Sequence, residues 1–290
     1  MACDVLGAVE LGGTKIKLAT GTRDGRIVSE KTFATAGPDA AFETILQYFT
    51  ANPVAAIGVG AFGPITVARQ SPRYGQIGRT PKPGWSGFNI LAALAPLAVP
   101  VAIDTDVNAS LLGEALWGAA AGHRVAVYLT VGTGIGGGLL IDGNPVHGLL
   151  HPEMGHVQIV RASGDNFRSL CRFHPHCAEG LACGSAIMAR FGKPLSNLPT
   201  EHSGHDLIAN YLGQLCTTIF LMTSTETIIV GGGVAKTPNI HRSIARHMLG
   251  FLNGYIAESE EMLCTIVPPA LGDSAGLLGG LALSRNFITP

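Results

Sequence analysis

Charge is scarce in this chain. Only 13% of its 290 residues are Asp, Glu, Lys or Arg, about half the usual share, and 19 basic against 20 acidic side chains leave a formal charge of −1. With no Lys/Arg block, neither an electrostatic nucleic-acid footprint nor a polybasic membrane anchor is expected. Long apolar runs are missing too. The longest nearly uncharged one, residues 90–103, is interrupted by Pro96 and Pro100 and is too short to span a bilayer. Asp4 and Glu10 break the first apolar stretch, which excludes a signal-peptide core and makes a cytoplasmic protein the expectation. Six cysteines, three of them isolated (Cys3, Cys216, Cys264), do not suggest a disulfide framework. Disorder is excluded by a hydrophobic share of 47%. The length predicts one to three domains, with two expected.

Glycine, by contrast, is abundant: 39 of 290 residues, nearly twice the average of about 7%. It falls in runs, Gly12-Gly13, residues 132–138 and Gly231-Gly232-Gly233, each after an apolar β-type stretch. Such places suit close approach of backbone to a phosphate or another chain. Residues 5–11 read as a strand, followed by a glycine turn, a strand over 14–20, an Asp24-Gly25 turn and a strand over 26–33. The middle repeats this order: strand 125–131, glycine turn 132–138, strand 139–141, turn Asp142-Gly143. A recurrence after about 120 residues predicts two similar halves, not a short-period solenoid.

Phe42, Ile45, Leu46 and Phe49 have helical spacing, and strands are predicted at 54–59 and 99–103, with a helix over 107–117. In the second half a long helix is marked by Leu207 to Ile219, with a strand at 227–230, a helix over 239–254, a strand at 264–267 and a last helix over 274–284. Strands alternating with helices predict an α/β protein with its boundary near residues 118–122.

Gly58, Gly60 and Gly63 fit G-x-G-x-x-G, as do Gly132, Gly134 and Gly137. A dinucleotide fingerprint needs those glycines to open a helix. Here Pro64 follows one set and Leu-Leu-Ile-Asp-Gly the other, so an NAD site is not expected. A hairpin whose glycine turn presents N–H groups is another phosphate cradle, and two such turns favour a nucleotide.

Glu10-Leu11-Gly12-Gly13-Thr14-Lys15, Asp104-Thr105-Asp106-Val107-Asn108-Ala109, the run from Thr130 to Gly138 and His151-Pro152-Glu153-Met154-Gly155-His156, in this order, resemble the ROK family of sugar kinases. The resemblance covers nearly the whole chain. Glu10 where the family more commonly has Asp, the run from Thr80 to Trp85 and the His-Pro-Glu-Met-Gly-His run are most similar to its bacterial fructokinase branch.

The resemblance implies a duplicated ribonuclease-H-like (actin/hexokinase-like) two-lobe α/β fold with mixed sheets. A small lobe is expected over 1–118, joined by a C-terminal helix 274–290, and a large lobe over 119–273, with ATP and sugar in the cleft between them. The implied activity is an ATP- and Mg²⁺-dependent hexose kinase, with fructose phosphorylated at its 6-hydroxyl; glucose, mannose or an N-acetylhexosamine is the alternative sugar. A homodimer is expected. Repressors of the family carry an N-terminal helix-turn-helix, whereas the first strand here is predicted within five residues of the start, so DNA binding is not expected.

A sugar hydroxyl is a poor nucleophile, and a carboxylate that accepts its proton assists transfer. The family's catalytic Asp precedes the Asn of its Asp-x-Asn run by two, which maps onto Asp106 with Asn108 as companion. The competing role for Asp104 or Asp106 is helix capping. Thr14, Lys15, Thr130 and Thr133 flank the glycine turns Gly12-Gly13 and Gly132 to Gly134, where donors suit phosphate oxygens. Gly231, Gly232 and Gly233 resemble the adenosine loop, and Glu153, His156 and Glu179 resemble the residues that hold sugar hydroxyls or a metal. Asn89 and residues 81–85 are candidate lining of the sugar side, with helix capping the favoured role for Asn89.

His156, Cys171, His174, His176, Cys177 and Cys183 fall within one stretch lacking an apolar period, which predicts a loop stapled by metal. Structural zinc takes about four N/S ligands, and the family has one here, most often through a Cys-x-Cys pair and a third Cys. This chain offers Cys171-x-x-His174-x-x-Cys177 with His156; His176 is the alternative to His174.

Overall fold

The structure is a computed structural model that describes residues 5–256 and 266–287. In chain order its elements are β1 (Leu6–Leu11), β2 (Lys15–Gly21), β3 (Ile27–Ala34), α1 (Pro38–Ala51), β4 (Ile57–Ala61), α2 (Ile90–Leu94), β5 (Val101–Thr105), α3 (Asp106–Trp117), β6 (Val125–Val131), β7 (Ile135–Ile141), β8 (Asn144–Pro145), α4 (Ala178–Ala182), α5 (Gly184–Phe191), α6 (Gly204–Thr223), β9 (Thr227–Gly231), α7 (Ile240–Leu252), β10 (Ile266–Val267) and α8 (Ala275–Ser284). Short 3₁₀ turns join several of them. The first residues of the strand predicted at 264–267 and the end of the helix predicted over 274–290 lie outside the described residues.

The two sheets have one topology. The first runs β3-β2-β1-β4-β5 and the second β8-β7-β6-β9-β10. In each, the opening strand pairs antiparallel with the next and parallel with the fourth. The fourth pairs parallel with the fifth. The repeat visible in the sequence is therefore a repeat of a whole mixed sheet.

The chain divides into two units. One comprises the residues up to Ala121, Pro145–His151 and those from Asp273 onward; the other comprises Gly122–Asn144 and Pro152–Gly272.

In the first unit, side-chain alternation along the strands separates two faces. Val9 and Leu11 of β1 and Ile57, Val59 and Ala61 of β4 are buried in a cluster with Phe42, Ile45 and Phe49 of α1. The opposite face is kept small. A Cβ on Gly58 would run into Gly280 O of α8, and one on Gly60 would stand 2.7 Å from Ala109 Cβ of α3. Close packing of α3 and α8 on the sheet thus accounts for two of the three glycines in the first G-x-G-x-x-G match. All ten residues of α8 are buried. No helix among the described residues is long and apolar enough to cross a membrane.

The second unit departs from expectation at its glycine run. The turn is confined to residues 132–134, and Gly136, Gly137 and Gly138 lie in β7, opposite Thr130, Leu129 and Tyr128 of β6. Gly137 makes room rather than a bend, since a Cβ on it would stand 2.6 Å from Met154 Cβ. The stretch predicted as one loop through Cys183 is also helical from residue 178 on. Cys177 and Cys183 cap α4 and α5, each thiol accepting a backbone N–H. The preceding loop is locked to the helices by Asp165, whose carboxylate takes two hydrogen bonds from Arg190 of α5 at 2.7 and 2.8 Å and one from Tyr211 of α6.

Candidate active site and metal cluster

In the first unit, β5 runs directly into α3, and three consecutive residues divide the work at the junction. Thr105 caps the helix, its hydroxyl accepting from Asn108 N at 3.1 Å. Asp104 is buried and engaged: its Oδ1 accepts from Thr105 N (2.7 Å) and Asn108 Nδ2 (2.8 Å), and His147 Nε2 lies 3.0 Å from Oδ2. Asp106 is left as the first helical residue, its Oδ1 accepting one bond from Val107 N at 2.9 Å. Burial, with a smaller contribution from the nearby Glu10 charge, raises its pKa to about 7. The capping role considered for both aspartates therefore falls to Thr105. Glu10 has its own counter-ion in Lys17, 3.0 Å away.

The Gly12-Gly13-Thr14-Lys15 turn precedes β2, and each of its carbonyls has a donor: Thr35 Oγ1 to Gly12 O, Lys82 Nζ to Gly13 O, Thr35 N to Thr14 O, and Gly12 N to Lys15 O. Lys82 belongs to the run 81–85 expected to line the sugar side, yet its ammonium is on the glycine turn. It reaches the turn because Trp85, three residues on, is buried against Phe62 and Phe88 and donates from Nε1 to Ala36 O. Its ammonium also lies 5.0 Å above the Phe62 ring. Asn89 caps α2, accepting from Ala92 N.

The second unit repeats the device. Gly132 O accepts from Gly184 N at 2.6 Å, Thr133 O from Ser185 Oγ at 2.9 Å and Gly134 O from Gly132 N at 2.9 Å. Beside this turn is a pocket of about 810 Å³ lined by Gly132, Thr133, Gly184, Ser185, Met188 and Gly233 among others, within the size range of small-ligand sites. The α5 side chains were missed because that helix was not predicted. Of the three glycines at the end of β9 and just beyond it, Gly231 and Gly232 back onto Tyr128 and Val131 of β6, while nothing lies within 4 Å of where a Gly233 Cβ would be. Thr130, at the end of β6, pairs with Gly136 and Gly231.

Glu153 precedes, and His156 ends, a 3₁₀ turn packed on β7. Glu179, on α4, accepts from Ile135 N at 2.9 Å through Oε2, and its Oε1 is 3.8 Å from His156 Nε2. Gly134 allows this approach, since its Cβ would lie 2.6 Å from Glu179 Oε2.

The other nitrogen of His156 faces sulfur. His156 Nδ1 is 3.8 Å from Cys171 Sγ, which is 3.5 Å from His174 Nδ1. With Cys177, these four residues place one ligand atom each within 4.8 Å of one another. His176 is elsewhere, its Nδ1 accepting from Arg161 Nε, and Cys183 is the α5 cap. Cys3 and Cys264 lie outside the described residues.

A profile of the ROK family matches residues 6–286. The protein belongs to the ROK family. It is 39% identical over 290 residues to the fructokinase of Zymomonas mobilis, covering 97% of this chain and 96% of that one. It is 37% identical to the fructokinase of Pediococcus pentosaceus, covering 97% and 98%. Among solved structures, the ROK hexokinase of Thermus thermophilus superposes with a TM-score of 0.78 at 26% identity, covering 97% of this chain and 98% of that chain. The duplicated two-sheet architecture is thus that of a ROK hexokinase.

Proposed function

We propose that Asp106 is the general base of an ATP-dependent hexose kinase that phosphorylates fructose at its 6-hydroxyl. One observation carries this reading: of the two aspartates at the β5–α3 junction, Asp104 is engaged by Asn108 and His147, whereas Asp106 is partly buried with its pKa raised to about 7. Such a carboxylate is matched to taking a proton near neutral pH. It accepts the hydroxyl proton as the sugar oxygen bonds to the γ-phosphorus and the bond to the β-phosphate oxygen breaks. The fructokinase relatives support the substrate.

Turns whose carbonyls are tied back into the protein present N–H groups outward, an anion-binding arrangement. Gly12 to Lys15 and Gly132 to Gly134 are assigned to nucleotide phosphates, with Lys82 adding positive charge beside the first. The pocket at Gly233 is assigned to the nucleoside. Asn108, Glu153, His156 and Glu179 are assigned to the sugar, each carboxylate accepting from hydroxyls. Among the described residues no cluster besides the His/Cys one could hold a metal with three or more side chains. Mg²⁺ is accordingly assigned to enter on the nucleotide, held by phosphates and water.

Two thiols and two imidazoles suit a structural zinc. The ion would have a filled protein shell and supply no chemistry to transfer; it would fix the His156 ring with Nε2 turned toward Glu179. The protein is proposed to act in the cytoplasm as a homodimer.

The test is ADP release with Mg-ATP over a panel of hexoses, on wild type and Asp106→Asn. Fructose-dependent turnover that disappears in the folded variant supports the reading. Turnover with another hexose alone replaces fructose as substrate, and none with any hexose removes the kinase assignment.

A further inference from the structure

Asp104 is 4% exposed and Asn108 is 1% exposed, so every polar atom they carry needs a partner. A carboxylate only accepts. His147 Nε2, 3.0 and 3.1 Å from the two Asp104 oxygens, must therefore be the protonated nitrogen. The Asp104 carboxylate correspondingly raises the His147 pKa above its ordinary value. The same logic orients the Asn108 amide. Its Nδ2 donates to Asp104 Oδ1 at 2.8 Å, and a flipped amide would set carbonyl oxygen against carboxylate at that distance; the 3.2 Å approach of Nδ2 to His147 Nε2 is then two donors converging on one carboxylate, not a bond between them. Fixing Nδ2 commits Oδ1 to the other direction, where it is buried with no hydrogen-bond partner. A buried carbonyl oxygen left unpaired is costly, and the missing donor is the one a hydroxyl would bring.

We propose that His147 is a positioning residue for the sugar: by holding Asp104 it locks the Asn108 amide so that Oδ1 receives a substrate hydroxyl. The inference rests on the assignment of Asn108 to the sugar and adds a residue that touches no substrate itself. His147 belongs to Pro145–His151, a segment that joins the first unit although the chain on either side belongs to the second. All three members of the relay are thus in one unit. Without the imidazole, Asp104 loses the Nε2–H donor that spans its two oxygens and can turn toward water, and the amide is free to rotate.

The experiment is steady-state kinetics with fructose, or the hexose that supports turnover, on His147→Phe, His147→Gln, Asn108→Ala and the double variant His147→Phe/Asn108→Ala. Loss of one oriented hydrogen bond raises the sugar KM of His147→Phe about tenfold, and the ATP KM stays within about twofold of wild type. His147→Gln, which keeps a donor near the Nε2 position, restores most of the sugar affinity. The double variant is no worse than Asn108→Ala, because both changes act on one contact. A wild-type sugar KM in His147→Phe, or effects that multiply in the double variant, overturns the proposal while leaving Asn108 at the sugar. An unchanged sugar KM in Asn108→Ala removes the underlying assignment and the proposal with it. Thermal melts establish that each variant is folded. If the Phe variant is not, His147→Ala replaces it, and its difference from His147→Gln makes the same comparison.

Discussion

Replacing Asp106 by asparagine probes stability and catalysis through one property, the rise of its pKa from 3.8 to about 7. In the unfolded chain the group ionises near 3.8 and in the folded chain near 7. Between these values the folded state holds the extra proton, and stability falls as pH rises. Above pH 7 the whole cost is in place, about 4 kcal/mol from about three pKa units at 1.36 kcal/mol each, an upper figure because water and protein relax around the charge. Asparagine is neutral throughout. Its stability advantage over wild type should therefore be larger at pH 8.5 than at pH 5 by about 2–3 kcal/mol, the share belonging to the interval from 5 to 7. In a protein of this size that is a change of several degrees in the difference between melting temperatures, readable by calorimetry at the two pH values. Catalysis should move oppositely: kcat/KM of wild type rises with pH through about 7, and Asp106→Asn loses about 10²–10⁴-fold. Equal melting-temperature differences at both pH values refute the burial argument. An acid limb near pH 4, or a variant within tenfold of wild type, refutes the assignment of Asp106 as base.

Chelation should weaken sugar binding more than nucleotide binding, because His156 turns one nitrogen to the Cys171/His174 cluster and the other to Glu179; parallel titrations with fructose and ADP on stripped and metal-reloaded protein check this. Gly58→Ala should destabilise by about 2–4 kcal/mol, since its Cβ runs into Gly280 O, whereas Gly233→Leu should melt like wild type and lose ADP affinity about tenfold or more. Asp165→Asn should cost about 3–5 kcal/mol at neutral pH by stranding the buried Arg190. Because Arg190 holds the Asp165 carboxyl well below the usual range, that deficit should persist above the ordinary carboxylate pKa and shrink as pH falls below it, as urea midpoints across pH would register.

The duplicated sheet was legible because it is written locally: each hairpin is a strand, a glycine turn and a strand, and β6 follows the predicted bounds residue for residue. What escaped depends on distance. Only the resemblance to the family's Asp-x-Asn run separates Asp104 from Asp106 in sequence, and one of the partners that engage Asp104, His147, is 43 residues away. Lys82 stands at Gly13 across 69 residues because Trp85 anchors its loop. α4 and α5 escaped for a chemical reason: their caps are cysteine thiols, and Cys is not among the residues that mark a helix start.

Glycine shows most clearly where reading residues alone stops. Gly58, Gly137 and Gly233 are indistinguishable as letters, each in a glycine-rich run. The structure separates them by what a Cβ would meet: the backbone of α8 at Gly58, Met154 at Gly137, nothing within 4 Å at Gly233. The first two are explained by packing. Gly233 has ordinary right-handed helical dihedrals, so neither strain nor packing requires glycine there, and the same absence of neighbours holds at Gly132. Both line the pocket beside the second turn. A glycine that neither strain nor packing requires, bordering a cavity of about 810 Å³, is the place where the proposed nucleoside assignment is most exposed to test, and the ADP affinity of Gly233→Leu tests it independently of any phosphate contact.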